Sequence, residues 1–197
     1  MALGFLGLSY QSEVLPYQDE TTPVALTGVK MLPILQLENG KNMNESLDII
    51  KTLDSSNLLK SELMQTELGT QLEQFLDRVS KPVHNLCMPY WVWTPEFSPE
   101  SRAYFEAKKS KKRGPFRQLA QSRAEFEAEL PPLLEEAMSF LSRSSEVDIL
   151  DIAVAAQIWG LYVLPEFQFP PKLHARLQTI KSRCHFDYHR DFWTSSL

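Results

Sequence analysis

Cysteine is scarce in this chain. Cys87 and Cys184 are the two in 197 residues, too few for a disulfide framework, so a reducing compartment, the cytoplasm, is the expectation. Cationic excess is missing as well: 20 Lys and Arg against 25 Asp and Glu leave a net charge of −5. That excludes a sequence-independent grip on nucleic acid as the main activity. With 43% apolar and 23% charged residues, the composition excludes disordered, collagen-like and membrane-spanning classes. Met1 to Ser9 is apolar but lacks the basic leader, the long apolar stretch and the small-residue cleavage site of an export signal. The chain opens directly in apolar sequence, as if inside an element already under way. It shows no internal repeat and no low-complexity tract.

What is present divides into two textures. Length alone leaves one domain or two open, at about 150 residues per domain. Residues 1–54 alternate short elements: a strand-like stretch Tyr10 to Leu15, a helical stretch Val24 to Thr27 stopped by Gly28, and a strand Ile34 to Leu37. An Asn39-Gly40 hairpin signal and a helix from Glu45 to Leu53 follow. Residues 54–60 carry turn formers and read as the connection between domains. From 61 to 197 the apolar residues recur at three and four, which predicts an all-helical domain. Leu68, Leu72, Phe75, Leu76 and Val79 form one stripe, and Ser98-Pro99 starts a helix carrying Tyr104 and Phe105. Phe116, Leu119, Arg123, Phe126 and Leu130 form a third, which Pro131-Pro132 should kink or interrupt. Ser145, with Asp148 three residues on, reads as a capping box opening an apolar helix through Ile149, Ile152, Ala153, Ala156, Trp159 and Gly160. Burial on most faces would make that helix the centre of the larger domain.

The chemistry concentrates in Lys30-Met31-Leu32-Pro33-Ile34-Leu35 and, after the hairpin, Asn44-Glu45-Ser46-Leu47-Asp48. Proline lacks an N–H for a ladder, so Pro33 marks a strand entry, and a cis peptide there would leave the backbone of Leu32 free to pair with something extended. Asn44 is a good N-cap, and Glu45 and Ser46 then occupy a first helical turn whose free N–H groups attract an anion. The Ser46 hydroxyl adds a donor and the Glu45 carboxylate can take an amine. Together they suit a ligand with an α-amino acid head and an extended peptide behind it.

At these residues the sequence resembles the glutathione-binding half of the thioredoxin fold shared by glutathione transferases and glutaredoxins. Leu-Pro-Ile-Leu and Glu-Ser match its cis-proline loop and γ-glutamyl site. The likeness extends through Asp19 to Pro23, Gly28, Lys30, Met43 and Asp48, and through Ser145 to Ile149. It is similar in particular to the two-domain, glutaredoxin-2 type. The resemblance implies an α/β thioredoxin-like N-terminal domain at 1–54, incomplete because its first strand is missing, and an all-α, glutathione-transferase-like domain at 61–197. It implies a cytoplasmic, glutathione-dependent thiol–disulfide oxidoreductase acting on protein or mixed disulfides, with glutathione as cosubstrate and no metal, nucleic acid or membrane partner. Leu32 and Pro33 would hold the glutathione backbone, and Glu45 and Ser46 its γ-glutamyl amine and carboxylate. The family's Cys-Pro-Tyr-Cys motif does not occur here, so no catalytic residue is assigned. Aligned on Pro33, Met1 falls inside the family's first helix. An interior strand, once removed, leaves ladder groups unpaired at about 1–3 kcal/mol each, so the expectation is a true start upstream of Met1. The alternatives are a non-catalytic glutathione-binding or interaction module and a transferase-like enzyme.

Other residues have plainer readings. Cys87, in Leu-Cys-Met-Pro-Tyr and three residues after His84, reads as a buried structural thiol. Cys184, His185 and His189 lack the further ligands zinc needs. The basic run Lys108, Lys109, Lys111, Lys112 and Arg113 fits a solvated helix end, with a phosphate or acidic partner as the sharper reading. Trp91 and Trp93 would either line an inter-domain pocket or pack in the core. Ser145 and Asp148 read as structural.

Overall fold

The computed structural model describes residues 1–187. In chain order these form α1 (Ala2–Phe5), α2 (Thr21–Thr27), β1 (Leu35–Gln36), β2 (Asn42–Met43) and α3 (Ser46–Leu53). There follow a 3-10 helix (Ser61–Gln65), α4 (Glu67–Trp91), α5 (Pro99–Arg113), α6 (Phe116–Gln121), α7 (Arg123–Leu141), α8 (Ile149–Ile158), a second 3-10 helix (Trp159–Val163) and α9 (Pro171–Arg183). Gly28 ends α2 at φ 80 and Gly40 turns the β1–β2 hairpin at φ 81, a backbone region that favours glycine.

The main core gathers around α8, where Ile149, Leu150, Ile152, Val154, Ala155 and Ile158 are all buried. Leu72, Phe75, Val79, Val83 and Leu86 of α4 face it, with Leu130, Leu134, Ala137 and Leu141 of α7 and Leu173, Leu177 and Ile180 of α9. Gly160 lies just past α8 because a Cβ there would sit 2.4 Å from the Trp91 ring.

The capping box at α8 lies three residues later than the Ser145–Asp148 pair. Asp148 is the N-cap, accepting from the Leu150 and Asp151 N–H groups at 2.9 and 3.1 Å, while Asp151 accepts from the Asp148 N–H at 3.0 Å. Both carboxylates are buried and each meets a guanidinium: Arg143 lies 3.2 Å from Asp148 and Arg176 3.3 Å from Asp151. Burial pushes the Asp151 carboxyl upward, and the neighbouring Asp148 N–H and Arg176 oppose that.

Two further expectations are corrected. Tyr10 to Leu15 is irregular rather than a strand, with Tyr10 and Val14 exposed. Apolar alternation makes a strand only where a neighbour supplies ladder partners. The third stripe breaks at Ser122, not at the prolines, and α7 runs through Pro131-Pro132. Those prolines lie on the exposed face, where water can take the carbonyls they free, while Leu130 and Leu134 stay buried on the other side. Residues 54–60, expected to connect the domains, form ordered turns. Asp54 accepts from the Leu58 and Leu59 N–H groups at 2.8 Å each, Leu59 is fully buried, and its carbonyl accepts from the Ile149 N–H at 2.8 Å.

The first fifty residues are also fastened to α5. The Tyr17 N–H donates to Ser101 Oγ at 3.0 Å, and its ring packs edge-on against Phe105 at 4.6 Å. The Lys30 ammonium donates to the Tyr17 carbonyl at 2.8 Å and the Tyr104 hydroxyl at 3.2 Å, and it lies 4.4 Å from the Tyr104 ring centre. Glu20 completes the joint by accepting from the Tyr104 hydroxyl.

Asp151→Ala removes the buried carboxylate that meets Arg176 and should cost about 3–5 kcal/mol in denaturant unfolding, against about 1 kcal/mol or less for Asp148→Asn, which keeps a capping oxygen and gives up only the charge that meets Arg143. Equal losses would show that the pair with Arg176 carries no special weight. Lys30→Met should speed amide exchange across residues 17–34 while shifting global stability by less than about 1 kcal/mol. Unchanged exchange there would mean that Lys30 does not hold this segment.

Candidate functional site

The antiparallel hairpin decides which residues meet. Its register pairs Leu35 with Met43 and Gln36 with Asn42. Continued outward, that register sets Pro33 across from Glu45 and Leu32 across from Ser46, so all four candidate residues lie at one end of the two-stranded sheet. The Leu32–Pro33 peptide is cis, and Leu32, Pro33, Glu45 and Ser46 are all exposed. Asn42 Nδ2 donates to the Leu26 carbonyl at 3.1 Å, which ties the hairpin to α2.

The start of α3 differs by one residue from the expected cap. Glu45, with extended backbone, is the N-cap in place of Asn44, and Ser46 is the first helical residue. No side chain caps this end, and the first intrahelical bond runs from the Ile49 N–H to the Glu45 carbonyl at 2.8 Å. The N–H groups of Ser46, Leu47 and Asp48 therefore point out of the helix without intrahelical acceptors, beside the Ser46 hydroxyl and the Glu45 carboxylate. Such an end takes a carboxylate on the N–H groups and an ammonium on Glu45.

The joint on α5 sets the charge nearby. Hydrogen bonding from Tyr104 and Lys108 holds the Glu20 carboxyl below its ordinary range, and the Tyr104 hydroxyl, with Glu20, raises Lys108. Burial raises the Tyr17 hydroxyl. Tyr17 had no signal in the sequence, since a lone aromatic after a proline fits no period. Lys30, two residues before Leu32, opens the informative stretch in the sequence, but its contacts with Tyr17 and Tyr104 had no signal there.

The remaining candidates separate. Cys87 and Cys184 are buried, and burial pushes both thiols upward, the opposite of what a nucleophile needs. His185 is exposed, and His189 lies outside the described residues. Among the described residues no three His, Cys, Asp or Glu side chains come together as metal ligands. Trp93 is exposed, with the Arg102 guanidinium 3.9 Å over its ring, whereas Trp91 is half-buried and lines a cavity. The basic run divides too: Lys108 joins Glu20, Lys111 and Lys112 are exposed, and Lys109 and Arg113 line the same cavity as Trp91. The Ser145 carbonyl accepts from Arg176 at 3.1 Å. No helix among the described residues is long and apolar enough to cross a membrane.

Residues 1–56 match the family description "Glutathione S-transferase, N-terminal domain". Glutaredoxin 2 of Escherichia coli K12 is 31% identical over 122 residues, 60% of this chain and 56% of that protein, and glutaredoxin 2 of Escherichia coli O157:H7 matches to the same extent. The matched stretch thus spans little more than half the length of these relatives. The crystal structure of glutaredoxin 2 from Salmonella typhimurium in complex with glutathione superposes with a TM-score of 0.84 at 23% identity, covering 97% of this chain and 90% of that one. The fold is therefore the glutathione-transferase-like one of that protein, with a small two-stranded thioredoxin-like part and a mostly helical remainder. Residues 71–188, more than half of the chain, match "Glutaredoxin 2, C terminal domain", and the chain belongs to the glutaredoxin 2 family.

Proposed function

We propose that this chain binds glutathione at the Leu32–Pro33 loop and the start of α3, in the service of glutathione-dependent thiol–disulfide exchange in the cytoplasm. One observation carries the reading: the hairpin register brings an exposed cis-proline loop and an uncapped helix start to the same end of the sheet. Membership of the glutaredoxin 2 family supports it.

The Leu32 N–H and carbonyl pair with the extended backbone of the tripeptide, and Pro33 shapes the loop that offers them. The Ser46 hydroxyl and the N–H groups of Ser46 and Leu47 hold the γ-glutamyl carboxylate, and Glu45 holds the adjacent ammonium. In the overall exchange a substrate disulfide takes two electrons and two protons and becomes two thiols, while two glutathione thiols become one glutathione disulfide. Protein disulfides and glutathione mixed disulfides are both substrates of this chemistry. Cys87 and Cys184, buried with raised pKa, are not the exchanging thiols, and the Leu32–Pro33 loop with the start of α3 supplies the recognition of glutathione.

Titration calorimetry with reduced glutathione tests the site. Replacing both Glu45 and Ser46 by alanine removes contacts worth about 1.5–3 kcal/mol for each charged hydrogen bond and should weaken binding at least about tenfold, with an unchanged far-ultraviolet spectrum. Unaltered affinity in the double variant would place the ligand elsewhere.

A further inference from the structure

Among the described residues, three other than glycine take left-handed backbone: Asn57 at φ 51, Lys60 at φ 54 and His185 at φ 46. All three line one cavity of about 680 Å3, walled by α1, the turns at 57–60, the turn entering α8 and the end of α9. Its volume falls in the range of about 300–1,000 Å3 typical of small-molecule sites. None of its lining residues belongs to the glutathione reading.

Left-handed backbone is the usual place for glycine, because a Cβ there crowds the following carbonyl. The departure is clearest at His185. It follows Cys184, the C-cap of α9. The His185 N–H donates to the Ser182 carbonyl at 3.3 Å and the Phe186 N–H to the Lys181 carbonyl at 3.1 Å, the pair of bonds that ends many helices with glycine at this position. Lys60 takes the same conformation where it caps the 3-10 helix Ser61–Gln65. Asn57 is eased by its amide, whose Oδ1 accepts from the Ser61 N–H at 3.2 Å and whose Nδ2 donates to Glu62 at 2.8 Å. Lys60 and His185 have no such side-chain bond to their own turns. Side chains are thus kept where glycine would fit more easily, and backbone strain of this kind gathers at ligand-binding sites.

The chemistry these residues frame is cationic. Arg183 lines the cavity with Lys60 and His185. Neither Arg183 nor His185 meets a carboxylate within ion-pair distance among the described residues, and Asp187, close by in sequence, lies 3.8 Å from Lys181. Lys60 pairs with Glu146 at 3.0 Å, and both side chains are exposed, so Glu146 can turn aside into water. A cation in the last turn of a helix also complements its dipole. That accounts for Arg183, but not for lysine and histidine in left-handed backbone. Phe5 and Leu58 add apolar surface to the same cavity.

We propose that this cavity binds a phosphomonoester with a small apolar body, its phosphate held by Arg183, Lys60 and His185 and its body resting on Phe5 and Leu58. A phosphate monoester carries about two negative charges near neutral pH. The planar guanidinium offers it two parallel donors, and the ammonium and imidazole add one each. An occupant touches α1, the turns at 57–60 and the end of α9 together, and so should stabilise their packing by mass action.

The probe is phenyl phosphate, titrated against the full chain and followed by backbone amide shifts and by the thermal midpoint. Saturable shifts are expected at Asn57, Lys60, Val147 and His185, with a rise in the midpoint. Replacing Lys60 and Arg183 together by glutamine should weaken binding at least about tenfold, whereas replacing the exposed Lys111 and Lys112 by glutamine, the same change in net charge, should leave it within about twofold. His185→Gly separates a ligand role from a structural one: the unliganded protein should melt at a higher temperature, because the strain is relieved, yet bind phenyl phosphate more weakly. Glu45→Ala with Ser46→Ala should not alter this titration, so the site and the glutathione site fail independently. Equal affinity in the two double variants, or a His185→Gly protein that binds as tightly as the parent or melts lower, would overturn the proposal.

Discussion

Two buried carboxylates at the start of α8 fix the arrangement of nearly everything else. Asp148 and Asp151 close on each other's backbone, and Arg143 and Arg176 reach them from the end of α7 and from α9. Buried charges of this kind must be compensated where they stand. The box therefore sets the start of α8, the approach of α9 and the exit of α7 at once. The next N–H along, that of Ile149, is committed to the Leu59 carbonyl, which draws the connecting segment into the core.

The candidate site inherits its position from that anchoring. With Leu59 buried and Asp54 holding the turn before it, α3 leaves the core in a fixed direction, and its other end meets the hairpin. A second fastening comes through Tyr17 and Lys30 on α5. The groups offered to a ligand are exposed and make few contacts of their own, so precision comes from the elements behind them. This is a common division in binding sites, where mobile ligand-facing groups sit on a rigid frame.

How much the sequence disclosed follows from which signals are local. Helical period placed α4 and α5, Ser98-Pro99 marked a helix start, and Gly28 and Gly40 marked turns, because each rests on neighbouring residues. The capping box was displaced because Ser145 to Asp148 and Asp148 to Asp151 share one spacing, and the choice between them is made by Arg176, distant in sequence. Asn44 and Glu45 were exchanged for a similar reason: both fit beside a helix start, and the hairpin register chooses. Tyr10 to Leu15 has strand-like alternation, but pairing is a tertiary property. Leu32, Pro33, Glu45 and Ser46 were legible as a motif, whereas the Tyr17–Lys30 joint and the cavity against α5 join residues some seventy to ninety positions apart and left no pattern to read.

The central claim is that glutathione sits between the Leu32–Pro33 loop and the first turn of α3. Backbone amide chemical shifts recorded during titration with reduced glutathione test it most directly. Saturable shifts should concentrate at Met31, Leu32 and Ile34 and at Ser46, Leu47 and Asp48, with the α4 and α5 amides around His84 and Arg113 little changed. Shifts confined to α4 and α5, with the loop and the start of α3 silent, would contradict it.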